Sequence, residues 1–474
     1  MKRVYLILSV ALLSLCALNL SAAEKEQKAE PKNHFKFYGF IRNYFIYDSR
    51  ESKSGTGDLF YYLPLDVKMN ENKTEDLNAT SSFRFLSLTS RVGVDVSGYS
   101  INNVHFGAKV EADFYSGLSS ASDVKGYFPS NTKISGTATA RLRQAYATVT
   151  WKELPMGTDS KASVGLKIGQ AWHPMAADHP HLFSLEVGAP FGPFSRTPLV
   201  QMDANLGEHW VVSAAAIWQM QYQSAGPVGT SALYMKYGKT PEMYAAVAFK
   251  TKGFLLRAGV DMVSIKPREQ AKVNDVTVKV SDRKTSVLGY VYTQYSHKKF
   301  AVKAKTTFGE GGEHMNLMSG YAKVGANPDG SWEYASMRNS SSWLSMSYGK
   351  KWQGVLFLGY VKNLGLAEAA SAERLLASST DTGATLDVYF CGNGFSNIDQ
   401  MYRINPQIIY NIGKMNIGLE YQWTSVRYGD YVAEKRMEDG KTYTDKYLNA
   451  HALADKNLHW VGNHRVNMMV KFNF

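Results

Sequence analysis

The chain has 474 residues, with 53 Lys and Arg against 41 Asp and Glu, a formal charge of +12, and only two cysteines. With 45% apolar and 20% charged residues it can fold, and the composition excludes disordered, collagen-like and disulfide-stapled classes. The basic excess admits nucleic acid, an acidic membrane or anionic solutes as partners, and the placement of the charges must choose among them.

Residues 1–23 read as a secretory signal: Lys2 and Arg3 open it, Val4 to Leu20 is nearly all apolar, and Ser21, Ala22 and Ala23 are the small residues a signal peptidase accepts. Cleavage leaves a charge of +10 and Cys391 as the only cysteine, so no intrachain disulfide is expected. Leu15 is too bulky for a lipoprotein box before Cys16. Residues 24–34 form a short lead, and 35–474 read as one domain. No later stretch holds 18 uncharged apolar residues, which excludes a helical span.

From residue 35 onward the dominant period is two, the signature of strands with one apolar and one polar face. Its phase is unclear at 35–47. Leu86, Leu88, Val92, Val94 and Val96 alternate with Ser87, Thr89, Arg91, Gly93 and Asp95. At 104–115 Val104, Phe106, Ala108, Val110, Ala112 and Phe114 face away from His105, Gly107, Lys109, Glu111, Asp113 and Tyr115. The phase is again unclear at 140–151, around Arg141 and Arg143, and clear at Val164, Leu166 and Ile168 about Lys167.

The link 171–197 differs from the others. Five of the fourteen prolines lie from Pro174 to Pro198, amid Trp172, Phe191 and Phe194, and so stiff and apolar a stretch is expected to fold into the barrel and narrow it, with Arg196 as a lumen cation. Strands then follow at Leu256 to Met262 about Arg257 and Asp261, and at Phe300 to Phe308 about Lys303 and Lys305. Segments 285–296 and 353–363 have no clear facing. Tyr402 to Ile412 carries Arg403 and Pro406, Ile417 to Tyr421 carries Glu420, and Val466, Met468, Val470, Phe472 and Phe474 close the chain against Arg465 and Lys471.

Short links near 98–103, 152–161, 205–209, 251–253, 297–299, 350–352 and Gly413 alternate with long ones near 48–82, 116–139, 171–197, 223–240, 264–284, 309–341, 364–399 and 428–461. Fifteen links make about sixteen strands, an even number with both termini on one side. The expected fold is therefore all-β: a transmembrane antiparallel β-barrel with short periplasmic turns and long extracellular loops, in the outer membrane of a Gram-negative bacterium.

At about sixteen strands the lumen is too wide for side chains to fill, so a water-filled diffusion channel is the expected function. The inward face would carry Arg91, Lys109, Arg141, Arg143, Lys167, Arg257, Lys303, Lys305, Arg403, Arg465 and Lys471 against Asp95, Glu111, Asp113, Asp261 and Glu420. That excess points to small anionic solutes. A surface receptor or adhesin working through the long loops is the alternative. His173, Asp178, His179 and His181 lie close in sequence, but their spacing matches no common zinc motif, and neither metal, cofactor nor enzymatic activity is expected. The basic residues form no stripe suited to nucleic acid.

Several stretches resemble one family. Gly39-Phe40-Ile41-Arg42, Trp172-His173-Pro174, Ala189-Pro190-Phe191, Gly359-Tyr360-Val361, Met401-Tyr402-Arg403-Ile404-Asn405-Pro406 and the final strand ending in Phe474 are similar to the DcaP-like, dicarboxylate-type trimeric porins. The resemblance implies a sixteen-strand homotrimer that passes small anionic solutes. Such a barrel would contact membrane lipid and lipopolysaccharide, and would meet the barrel-assembly machinery through Phe474. The lead at 24–32 is too short for the N-terminal extension expected of some members.

Overall fold

A computed structural model of the chain describes residues 32–55, 59–87, 89–116, 138–156, 160–370, 389–391, 397–435, 445–448 and 450–474. The expected signal segment, 1–23, and most of the expected lead, 24–34, fall outside them. Sixteen antiparallel strands form the wall: β1 His34–Asp48, β2 in two pieces (Ser82–Leu86 and Arg91–Ser97), β3 Val104–Ser116, β4 Ala138–Met156, β5 Ser160–Trp172, β6 Arg196–Leu206, β7 Trp210–Ile217 and β8 Glu242–Thr251. The other half is β9 Phe254–Ile265, β10 Lys284–His297, β11 Phe300–Glu310, β12 Trp332–Gly349, β13 Trp352–Leu366, β14 Ile398–Ile412, β15 Met415–Asp430 and β16 Lys456–Asn473. β1 pairs with β16 from Phe40 opposite Asn473 to Asp48 opposite Arg465, so the sheet closes on itself and leaves no edge.

Facing is inverted relative to a soluble protein. Along β16 Val466, Met468 and Phe472 are exposed, while Asn463, Arg465 and Asn467 are buried. The same holds around the wall for Phe83, Phe85, Val110, Leu142, Ile168, Val247, Val260, Val291, Phe308, Ile404, Ile408 and Leu419, all exposed. An apolar outer surface on a closed barrel suits lipid, because closure gives the strands' N–H and C=O groups partners within the wall. No described helix is long and apolar enough to cross a membrane. Tight turns, such as the one at Gly413 with φ of 55°, join alternate strands at the end where both termini lie, and long connections lie at the other.

Three local features depart from the simple alternation. β2 is interrupted after Leu86, and the break changes the phase: Phe83 and Phe85 point outward before it and Val92 after it. Leu86, expected on the outer face, instead packs inward beside Tyr44 and Ile46. The pairing of β3 with β4 shifts between Glu111 and Ala112 and leaves Arg143 as the extra residue of a bulge. Bulges re-aim side chains, and here Arg143 and Gln144 both reach Glu111. Pro406 sits in β14 as expected, and the pairing with β15 skips Asn405 and Pro406 before resuming in the same register.

β12 begins at Trp332, well inside the expected 309–341 link, because its outer portion pairs with a further strand, Gly320–Ala326. Short hairpins at Ser52–Gly55 with Phe60–Pro64 and at Gln270–Val273 with Val276–Lys279 also belong to the long connections.

Candidate functional site

The connection from β5 to β6 starts and ends on paired residues, Trp172 opposite Arg196, and between them it lies against inward-facing residues of many strands. Phe183 sits against Tyr44 of β1, Met469 of β16 and Gly418 of β15, and its carbonyl accepts the Tyr44 hydroxyl at 2.5 Å. The His181 N–H donates to Ser345 Oγ of β12 at 3.0 Å. Phe191 stacks edge-on against Phe357 and lies so close to Gly359 that a Cβ there would meet the ring at 2.5 Å. Ala189, Phe191 and Met175 are fully or almost fully buried, so this apolar stretch has exchanged water for the barrel's interior.

Many of the inward cations anchor this segment, and others meet acids or aromatic rings of the wall. Arg403 donates to Ala189 O at 3.1 Å, Tyr62 O at 2.7 Å and Thr424 Oγ1 at 2.9 Å. Arg465 bridges Asp48 at 2.8 Å and Glu186 at 3.2 Å. Arg257 holds Asp178 at 2.5 Å. Lys303 Nζ donates to His179 O at 3.0 Å, and Lys305 Nζ to Met175 O. Lys303 and Lys305 therefore lie beneath the segment, with Asp178 nearby offsetting their repulsion. Lys109 pairs with Asp95 at 2.8 Å, Lys167 lies over Tyr146, and Lys471 over Phe40. Glu420 accepts from Gln407 and from Asn467 at 3.3 Å.

Replacing Arg403 by Met should lower the unfolding midpoint in urea by an amount worth about 2–3 kcal/mol, because two buried carbonyls lose their donor. An unchanged midpoint would show that water replaces the guanidinium without loss.

A second group of cations surrounds open space. Arg42, Arg91, Arg141, Arg143 and Arg196 converge on a cavity of about 100 Å³, whose opposite wall is Leu182, Phe183, Leu185, Val187 and Phe194 of the connecting segment. Arg141 chelates Asp113 through two bonds of 2.9 Å, and Arg143 bridges Glu111 and Asp113 at 2.8 Å each. Arg91 lies 3.5 Å from Glu111. Arg42 donates to Thr89 Oγ1 at 3.1 Å, and the Arg196 guanidinium stacks 4.7 Å from the Trp172 ring centroid; neither forms an ion pair among the described residues. Arg196 is buried behind the segment's aromatic rings and does not project into an open lumen. Five guanidinium groups against the two carboxylates Glu111 and Asp113 leave a local positive excess facing the cavity.

Arg42 is the member that alternation could not supply, since the phase of 35–47 is masked by Tyr44 and Ile46, which are apolar yet point inward. Glu186 and Asp48 were missed as well, and both serve as counter-charges. The sequence neighbours His173, Asp178, His179 and His181 are pulled apart: Asp178 goes to Arg257, His179 to the edge of Trp172, and His181 to Ser345. His173 is fully buried and joins Glu242, Asp261 and His314.

Burial, reinforced by Lys305 and Lys303, pushes His179 down to about 3, and burial near Lys303 pushes His181 down to about 4. Unfolded imidazoles protonate near 6.5, so the unfolded chain takes up protons first as pH falls. The stability these two groups contribute is complete above that value and is lost progressively toward pH 4 and 3. Thermal melts at pH 7.5 and pH 4.5 should show a lower midpoint at the acid value, and a smaller difference in the His179→Gln, His181→Gln double variant.

The chain shares the fold of a known channel. Its structure superposes on the outer membrane channel DcaP of Acinetobacter baumannii with a TM-score of 0.57 at 16% identity, over 95% of this chain and 99% of that one. The resemblance read from the sequence thus holds at the level of the fold, that of an outer-membrane barrel. Looser likenesses include an anion-selective porin from Comamonas acidovorans (TM-score 0.48, 8% identity, 94% and 100% coverage) and OmpT of Vibrio cholerae (0.48, 12%, 95% and 100%). No protein-family model and no curated protein sequence matches the chain.

Proposed function

We propose that the protein is an outer-membrane porin, a water-filled diffusion channel for small hydrophilic and preferentially anionic solutes, with the segment between β5 and β6 as its constriction loop. The observation that carries this reading is the cavity between wall and loop, where Arg42, Arg91, Arg141, Arg143 and Arg196 converge. An anion passing there meets guanidinium donors in a space of low dielectric, where a fixed charge acts more strongly than in bulk water. The remaining inward cations and the acids Asp95 and Glu420 mainly hold the wall and loop, and Asp261 lies in a buried cluster with His173. No enzymatic step is assigned.

A homotrimer, assembled through recognition of Phe474 and embedded among lipid and lipopolysaccharide, belongs to the same proposal and rests on the family resemblance. Purified protein in planar bilayers should give discrete conductance steps, and a salt gradient should give a reversal potential of anionic sign. A well-folded protein without steps would reject the channel and favour the receptor reading.

A further inference from the structure

Glu242 opens β8, Asp261 lies in β9, His173 directly follows β5, and His314 lies in a short turn, Glu313–Met315, after β11. Their ligand-type atoms all fall within 4.8 Å of one another, and all four side chains are buried. Glu242 Oε2 and Asp261 Oδ1 have no hydrogen-bond partner among the described residues, although both are shielded from water. Leaving carboxylate oxygens in that state is costly unless a cation, or a proton shared between them, neutralises the pair. Lys284 is directed to Glu313, 3.5 Å away, and forms no ion pair with either carboxylate.

Both nitrogens of His173 are already engaged: the Met175 N–H donates to its Nδ1 at 3.1 Å. Its Nε2–H then donates to Glu242 Oε1, and the 2.6 Å separation is a hydrogen bond. Two ligands of one tetrahedral ion with bonds of 2.0–2.2 Å would instead stand about 3.4 Å apart. His314 Nε2 lies 2.9 Å from Glu242 Oε1, a hydrogen-bond distance, and 3.9 Å from Asp261 Oδ2; the two average near 3.4 Å, so a small shift of the His314 ring would seat an ion between the carboxylates.

We propose that Glu242, Asp261 and His314 form a binding site for one divalent transition-metal ion of the zinc type, with His173 as a positioning residue that orients Glu242. One imidazole with two carboxylates suits such an ion better than calcium or magnesium, which prefer oxygen alone. Ligating carboxylates are commonly held in place by a hydrogen bond from a neighbouring side chain, the part His173 takes here. The ion would join the turn after β11 to the β8–β9 wall, and through His173 it would fix the root of the constriction loop. The inference does not depend on what the channel passes.

The test uses the full mature barrel in detergent, stripped with a chelator and dialysed. Titration with Zn²⁺ should show one saturable site per chain and raise the melting midpoint, and Co²⁺ should give visible d–d bands of nitrogen and oxygen ligation. Asp261→Asn and His314→Gln should each weaken Zn²⁺ binding at least tenfold while heat-modifiable migration on gels stays that of a folded barrel. His173→Gln should keep the stoichiometry with a smaller loss. Absence of a one-per-chain site in the unaltered protein overturns the proposal and leaves a proton-linked network. Binding equal in the unaltered, Asp261→Asn and His314→Gln proteins also overturns it, as surface ions only. Should the variants fail to fold, the Co²⁺ bands and stoichiometry of the unaltered protein decide.

Discussion

Reversing Arg42 and Arg196 to Glu together should invert the channel's preference from anions to cations. Both guanidinium groups border the cavity without an ion pair among the described residues, Arg42 directly and Arg196 from behind Trp172 and Phe194, so neither charge is cancelled by a paired carboxylate. Changing one charge from +1 to −1 at roughly 6–8 Å in water alters an ion's energy by about 1 kcal/mol, or roughly fivefold in that ion's permeability per site, in opposite senses for anions and cations. Two sites give about 25-fold in dilute salt, and much less near 1 M, where the screening length falls to about 3 Å. The new carboxylates would sit among Arg91, Arg141 and Arg143, where like-charge repulsion now prevails, so the barrel should fold. Reversal potentials under a salt gradient measure the outcome, and an unchanged anionic sign would remove these two residues from the permeation path. Reversing Lys303 and Lys305 instead should mainly loosen the loop, because their ammonium groups bond its carbonyls.

The strands were legible wherever only one face is apolar. At β3, β11 and β16 the lumen side is polar and the lipid side is not, so period two identifies both the strand and its facing. Facing was lost where the inner side is apolar too. Leu288, Tyr290 and Tyr292 of β10, Phe357 and Val361 of β13, and Tyr44 and Ile46 of β1 are inward and buried, several of them against the loop. A strand covered on both sides reads as continuous hydrophobicity, as in a sheet buried on both faces. The unclear segments 35–47, 285–296 and 353–363 thus carry apolar residues on both faces. At 140–151 the cause was instead the bulge at Arg143, an extra residue that reverses the phase.

The cations were legible as inward charges, but their partners were not. Alternation places Arg403 and Arg465 on the inner face, yet only folding brings Glu186 and Ala189 of the loop to them. The His173 cluster was hidden for the same reason, since its four residues come from four separate elements and share no spacing in the chain.

Replacing residues 174–194 by a four-residue Gly-Ser turn should raise single-channel conductance several-fold and weaken anion preference. The hairpin is already formed without the loop, because β5 and β6 pair out to Trp172 and Arg196, and His173 N–H donates to Ser195 O at 3.1 Å. A short turn can therefore close it without strain in the wall. The excised loop removes the apolar side of the cavity, and a lumen as wide as sixteen strands then fills with water. The groups it had bonded, among them Arg403, Lys303, Lys305 and Ser345, would be rehydrated, so the loss of stability should be smaller than for an excavated apolar core. Anion preference should weaken because ions could then pass farther from the arginines, through water of high dielectric. Conductance in 1 M salt isolates the steric part, where fixed charges are screened, and selectivity in dilute salt isolates the electrostatic part. Unaltered conductance in a folded loop-replaced barrel would place the narrowest point elsewhere and separate the arginine cavity from the route of permeation.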